Sequence, residues 1–152
     1  MPDGEGTAET NLVWPSPWFL SNFYYHYLKP VDVMLHQRLG MPIAKALYPV
    51  LDQAWYANGG QPFQKLYSGL ASLLGFQRFK HLSRIKQQLD ASHYQLQREQ
   101  FLESWEYRPS ALGGDFVVTY RAGQKFFEDQ RAREERRRVA TQIHPGAPEE
   151  KL

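Results

Sequence analysis

Prolines divide this chain into segments that are too short for long uninterrupted helices. Pro17, Pro42 and Pro62 each stand where a helix can begin, because the first helical turn does not need the N–H that proline lacks. Pro30 and Pro109 end the helices before them, because a proline restricts the residue that precedes it. The spacing therefore predicts several short to medium helices joined by short turns.

Apolar residues between these breaks recur every three or four positions, which is typical of amphipathic helices. The predicted helices span 17–29, 31–39, 42–58 with a kink or break at Pro49, 62–75, 77–91, 92–108 and 116–140. Residues 116–120 also fit a short strand, since Val117, Val118 and Thr119 are β-branched. We favour a helix there, because Val117, Tyr120, Phe127 and Arg131 keep helical spacing.

The expected fold class is therefore all-α, with a long and densely charged C-terminal helix. The 152 residues suffice for one domain. We expect this α-helical domain over 12–143, preceded by an extended, disordered acidic arm over 1–11 and followed by a disordered tail over 144–152. No run of about 18 apolar residues occurs, so no transmembrane helix is predicted.

Composition argues against several classes of protein. The chain has no cysteine, which excludes disulfide scaffolds, cysteine-ligated metals and cysteine nucleophiles. The formal net charge is only +2, which argues against ribosomal and chromatin proteins that neutralise many phosphates. Ser68 precedes Gly69 inside a leucine-rich segment and does not form a nucleophile elbow. The pairs Gly59-Gly60 and Gly113-Gly114 are isolated and predict loops.

Metal and acid–base chemistry are also not predicted. Glu99 with Glu103, and Asp90 with His93, have the spacing of helical metal ligands, but no second helix repeats the motif. We interpret the two glutamates as a solvated face and His93 as a polar residue at a helix end. An unrecognised enzyme would have to use carboxylates such as Glu99, Glu103 or Asp115. We predict no catalytic residue, no cofactor and no metal, and a protein that is not an enzyme.

An aromatic run near the N-terminus is the first candidate site. Its members are Trp14, Trp18, Phe19, Phe23, Tyr24, Tyr25 and Tyr27. Three interpretations are open: core of this domain, a stacking platform for single-stranded nucleic acid, or an anchor on a partner protein or lipid headgroups. On one helix these rings would lie all round, and little positive charge is nearby. We therefore favour a partner or membrane-interface surface and expect no nucleic acid.

An arginine-rich run near the C-terminus is the second candidate site. Its arginines are Arg131, Arg133, Arg136, Arg137 and Arg138. One interpretation is a solvated helix with pairs such as Glu134 and Arg138. The other is an electrostatic strap on an acidic partner, because arginine pairs with carboxylates through two hydrogen bonds.

Several short motifs carry a resemblance to a known family. The run Arg84-Ile-Lys-Gln-Gln-Leu-Asp-Ala-Ser92 resembles the central helix of the small matrix-side, ubiquinone-binding accessory subunit of respiratory complex III, the cytochrome bc complex. The stretches 69–73 and 96–101 fit the flanking parts of that family, and 38–41 resembles a step after its N-terminal helix. The resemblance covers about 69–138.

The resemblance implies a non-catalytic, all-helical subunit that supports assembly and stability. It would lie peripherally on the matrix side of the mitochondrial inner membrane, in contact with cytochrome b and a core subunit. Alternatives are an accessory subunit of the ATP synthase or complex I, a soluble helical adaptor, or an RNA-binding accessory protein.

Overall fold

The structure, a computed structural model, describes residues 14–17 and 32–143. These residues contain five helices and three strands. In chain order they are α1 (Val33–Arg38), α2 (Pro42–Asn58), β1 (Phe63–Leu66), α3 (Tyr67–Leu74), α4 (Leu82–Arg98), β2 (Leu102–Pro109), β3 (Phe116–Ala122) and α5 (Gln124–Ile143). Residues 32–135 belong to one compact unit, and the described residues 14–17 and 136–143 belong to a second.

The all-α prediction is wrong, because β1, β2 and β3 form an antiparallel sheet. The helix predicted over 92–108 ends at Arg98, and β2 follows. From Trp105 to Arg108, half-buried aromatic residues alternate with exposed charged residues. A period of two is that of a strand, and here it overrides the helical spacing of Phe101 and Trp105.

The last predicted helix also begins later than expected. Residues Phe116–Ala122 form β3, and α5 begins at Gln124. The strand interpretation of 116–120 is therefore right and the favoured helix is wrong. The predicted loop at Gly113-Gly114 is confirmed, and both glycines have positive φ angles, of 74° and 70°, which glycine adopts without a steric cost.

The strand order places β3 in the middle of the sheet, between β1 and β2. Phe63 of β1 pairs with Tyr120 of β3, and Trp105 of β2 pairs with the same tyrosine from the other side. The helix predicted to start at Pro62 starts at Tyr67 instead, because the four residues before it pair with β3.

Helix α2 has the predicted boundaries. Pro42 occupies its first turn, and Gly59 ends it in the left-handed conformation at φ 70°. The helix is not divided at Pro49. The helix predicted over 31–39 is present as α1, with the Asp32 side chain accepting a hydrogen bond from the Leu35 N–H at 2.9 Å.

The core lies between α2, the sheet and the inner faces of the other helices. Its largest fully buried side chains are Trp55, Tyr48, Tyr67, Tyr120 and Phe101. Tyr48 meets Phe101 edge-on, with ring centroids 4.7 Å apart. No helix within 32–143 is long and apolar enough to cross a membrane.

Candidate functional site

Two consecutive helices, α3 and α4, are joined by an ordered turn. Gly75 ends α3 in the left-handed conformation. The Tyr67 hydroxyl accepts a hydrogen bond from the Phe79 N–H at 3.0 Å and donates one to Gln88 Oε1 at 2.7 Å. Gln88 Nε2 in turn donates to the Gln77 carbonyl at 2.8 Å. These bonds hold 77–79 outside the helix, so α4 starts at Leu82 and not at the predicted Gln77.

The inner face of α4 carries apolar residues and one buried histidine. Ile85, Leu89 and Leu96 are buried, and His93 between them has no exposed surface. His93 Nε2 lies 2.9 Å from the Tyr120 hydroxyl of β3. His93 Nδ1 lies 3.3 Å from the Tyr107 hydroxyl of β2. The prediction of a polar residue at a helix end is wrong for His93, since it lies inside α4 and connects that helix to two strands.

Asp90, one turn before His93, completes this polar cluster. Its Oδ1 accepts hydrogen bonds from Trp105 Nε1 at 3.0 Å and from the Tyr107 hydroxyl at 2.7 Å. Because the Tyr107 proton points at Asp90, this hydroxyl can only accept from His93, which places the imidazole proton on Nδ1. Tyr120 then donates to the free Nε2. We call Asp90, His93, Trp105, Tyr107 and Tyr120 the anchor cluster.

Burial keeps the histidine and the tyrosines of the anchor cluster uncharged. Burial lowers the pKa of His93 to about 4, although the neighbouring Asp90 charge works in the opposite direction. Burial, assisted by the hydrogen bond to Asp90, raises the pKa of Tyr107 well above its ordinary value, and burial also raises that of Tyr120. At neutral pH the cluster therefore forms a hydrogen-bonded connection between α4 and the β2–β3 hairpin.

The outer face of α4 is exposed and basic. Ser83, Arg84, Lys86 and Gln87 are all exposed. The Arg84 guanidinium lies 5.2 Å from the centroid of the Phe79 ring, and the Lys86 ammonium lies 5.9 Å from that of Tyr107. The run 76–89 holds four basic residues and no acidic one. Lys86 thus extends this positive face towards β2.

The loop between β2 and β3, residues 110–115, lies against the start of α3 and the turn before α4. Asp115 accepts hydrogen bonds from the N–H and the hydroxyl of Ser68. Arg78 Nη2 donates to the Gly114 carbonyl at 3.2 Å and lies 3.8 Å from the Asp115 carboxylate. Burial works to raise the pKa of Asp115, but the bonds from Ser68 and Phe116 and the Arg78 charge hold it below its ordinary value.

Comparison with known proteins gives no relative. No family model, curated protein or solved structure matches this chain. The candidate site therefore depends on the geometry of the chain alone.

The two sites predicted from the sequence involve other residues than those of the α3–α4 pair. Of the aromatic run, Trp14 is described and exposed, and the other six rings lie outside the described residues. The five arginines of the C-terminal run lie on α5. Arg133 is largely buried and pairs with Asp52 of α2 at 3.4 Å, so it contributes to an ion pair within the chain.

The carboxylates considered for acid–base or metal chemistry are not brought together. Glu99 pairs with Arg38 at 3.0 Å, Glu103 is exposed on β2, and Asp115 holds the β2–β3 loop. No group of three metal-ligating side chains occurs among the described residues. Glu99 and Asp115 therefore make an ion pair and hydrogen bonds within the chain.

From the sequence alone, the exposed, basic outer face of α4 was not identified as a candidate site. Two signals were present: the run 76–89 without an acidic residue, and the two β-prone segments on either side of Gly113-Gly114, which are typical of a hairpin. Because 92–108 and 116–140 were assigned to helices, the β2–β3 hairpin was not predicted. The exposed face of α4 beside this hairpin was therefore not identified as a candidate site.

Proposed function

We propose that this protein binds double-stranded DNA, with α4 in the major groove and the β2–β3 loop beside it. The observation that carries the proposal is the outer face of α4, which is exposed, free of acidic residues over 76–89, and held by the anchor cluster on a hairpin. A rigid, basic helix of this kind is what a major groove about 12 Å wide admits.

The order of elements supports the proposal. Helix α2, strand β1, helices α3 and α4, and the β2–β3 hairpin follow one another, and the last strand lies in the middle of the sheet. This is the arrangement of a winged helix-turn-helix, in which the second helix of the pair reads DNA and the hairpin loop is the wing. Because folds host many functions, the side chains on α4 carry more weight than this topology.

The side chains on α4 match the chemistry of base edges and phosphates. Arginine pairs with guanine and glutamine with adenine through two hydrogen bonds each, which assigns base contacts to Arg84 and Gln87. Lys80, Lys86 and the His81 end of the helix are suited to phosphates. Double-stranded RNA is a poorer match, because its deep, narrow major groove does not admit a helix.

The small net charge does not oppose this function. The run 76–89 alone carries four positive charges, more than the net +2 of the whole chain. The excess of acid therefore lies elsewhere, and the local field at α4 is positive. A protein of this kind gains less non-specific affinity than a chromatin protein and depends more on base contacts.

The respiratory accessory-subunit function and the matrix-side location stay predictions. Their resemblance implied an all-helical chain, and β2 and β3 lie within the region that it covers. DNA binding is the function that the described surface favours.

To test the proposal, duplexes that bind the full chain are selected from a randomised pool. The affinity for the enriched duplex is then measured by fluorescence anisotropy. Arg84→Ala and Gln87→Ala should each weaken binding by roughly 5- to 150-fold, which is the worth of a two-bond base contact of about 1–3 kcal/mol. Lys86→Ala should reduce the slope of log affinity against log salt by about one. Arg131→Ala, an exposed arginine on α5, is the matched control and should bind like the parent.

Two results would overturn the proposal. One is that no sequence is enriched and no duplex binds at low salt. The other is that Arg131→Ala loses as much affinity as Arg84→Ala, which would show that general charge and not the α4 face is responsible.

A further inference from the structure

We propose that Leu112, at the tip of the β2–β3 loop, inserts into the minor groove as an apolar wedge and bends the duplex. This inference rests on the proposed DNA binding and specifies what the wing does there. It differs from a wing that contacts phosphates through basic side chains.

Leu112 is presented to solvent by a well-defined turn. Its side chain is 100% exposed, which no other large apolar residue among the described ones reaches. The Ser110 N–H donates to the Asp115 carbonyl at 3.0 Å, and the Gly113 N–H donates back to the Ser110 carbonyl at 3.1 Å. The Ser110 hydroxyl adds a bond to the Gly113 carbonyl. A tip closed in this way holds the leucine outward at little further cost in entropy on binding.

The tip carries no cation of its own. Residues 110–115 include neither lysine nor arginine, so the tip has no side chain for pairing with phosphate. Its single acid, Asp115, turns inward to Ser68 and Arg78, so its charge is directed away from a ligand. Residues 110–114 therefore carry no charged side chain, and the apolar Leu112 among them is fully exposed.

Two half-exposed arginines flank the tip. Arg108 at the end of β2 lies 3.8 Å from Glu106, Arg78 in the turn before α4 lies 3.8 Å from Asp115, and each arginine keeps about half of its side chain exposed. An apolar point between two arginines is complementary to a groove whose floor is base edges and whose two walls are phosphates. Because the Arg78 bond to Gly114 places the tip beside the turn before α4, we assign the tip to the ligand proposed for α4, which is DNA.

The minor groove is the groove that remains for the tip. With α4 in the major groove, the loop beside it reaches the adjacent minor groove, about 6 Å wide. Leucine is one of the side chains that partly unstack a base step and kink the duplex by about 20–90°. Pyrimidine–purine steps such as TA and CA unstack most easily, so the selected duplexes should carry one at a fixed distance from the α4 contacts.

The experiment measures bending on the duplex selected with the full chain. Donor and acceptor dyes at the two duplex ends report the bend, and 2-aminopurine at the pyrimidine–purine step reports unstacking. The parent protein should bend the duplex by about 20–90° and raise the 2-aminopurine fluorescence. Leu112→Ala should lose both signals, whereas Leu112→Met, which keeps a wedge, should retain them. Leu73→Ala, an exposed leucine on α3, is the matched control and should behave like the parent.

The outcomes separate this inference from the function on which it rests. If no duplex binds, both fail. If the parent binds a straight duplex, or if Leu112→Ala bends DNA as well as the parent does, the wedge is refuted while α4-mediated binding stands.

Discussion

Acidification should weaken the fold through His93, and the size of the loss can be worked out. In the unfolded chain this histidine titrates near its ordinary pKa of 6.5, whereas burial lowers its pKa to about 4 in the folded chain. Between these values the unfolded chain binds a proton that the folded chain does not. The contribution of His93 to the free energy of unfolding is therefore fully present above pH 6.5 and is lost as the pH drops towards 4. From pH 7.5 to 5.0 the loss should be about 2 kcal/mol.

Urea unfolding at these two pH values, on the parent and on His93→Gln, measures this contribution. Glutamine keeps a donor and an acceptor but has no proton to gain. The variant should therefore be less stable than the parent at pH 7.5, and its own free energy of unfolding should change little between pH 7.5 and pH 5.0. The pKa of Asp32, lowered by the hydrogen bond from Lys125, keeps that carboxylate from titrating within this window. Equal pH dependence of the two proteins would refute the reasoning.

A second measurement does not depend on the variant. The ring signals of His93, followed by NMR from pH 7.5 to 5.0, should stay close to those of a neutral imidazole with the proton on Nδ1. A titration midpoint near 6.5 would show that the anchor cluster does not keep the His93 imidazole neutral. It would also contradict the assignment in which His93 donates to Tyr107 and accepts from Tyr120.

Further predictions concern packing. A Cβ at Gly123 would lie 2.2 Å from the Gln100 carbonyl oxygen, so Gly123→Ala should lower the free energy of unfolding by about 3 kcal/mol. A Cβ at Gly59 would meet no atom, but the backbone there has a φ of 70°, so Gly59→Ala should lower it by about 1 kcal/mol. Equal costs would contradict the clash. Leu89→Ala on the buried face of α4 should lose about 2–5 kcal/mol, and Leu73→Ala on the exposed face of α3 should stay within about 0.5 kcal/mol. A small loss at Leu89 would mean that α4 does not pack as described.

The sequence predicted helices well where proline and glycine mark both ends. Helix α2 begins at Pro42 and ends before Gly59, and both residues act through their own backbone, independently of the rest of the chain. The loop at Gly113-Gly114 is predictable for the same reason. Local backbone chemistry is thus enough for these boundaries.

The strands were missed because they depend on partners distant in sequence. Strand β1 has only four residues and continues directly into α3, so its apolar residues fit the helical stripe of Leu66, Leu70 and Leu73. Only the pairing of Phe63 with Tyr120, 57 positions away, makes it a strand. His93 was misjudged for the same reason, because the hydroxyl groups that satisfy its two nitrogens come from β2 and β3.

The position of β3 has a consequence for the order in which the chain is made. Of the three strands that the structure describes, the middle one is also the last to leave the ribosome, since β1 and β2 both precede it. Until Phe116–Ala122 emerges, neither of the outer strands has a neighbour, and the histidine of α4 lacks the hydroxyl of Tyr120. A nascent chain therefore carries α4 before it has the support that fixes this helix in place. A chain truncated before Phe116 therefore has two strands without a neighbour in the sheet, and unpaired strand edges of this kind are prone to aggregation.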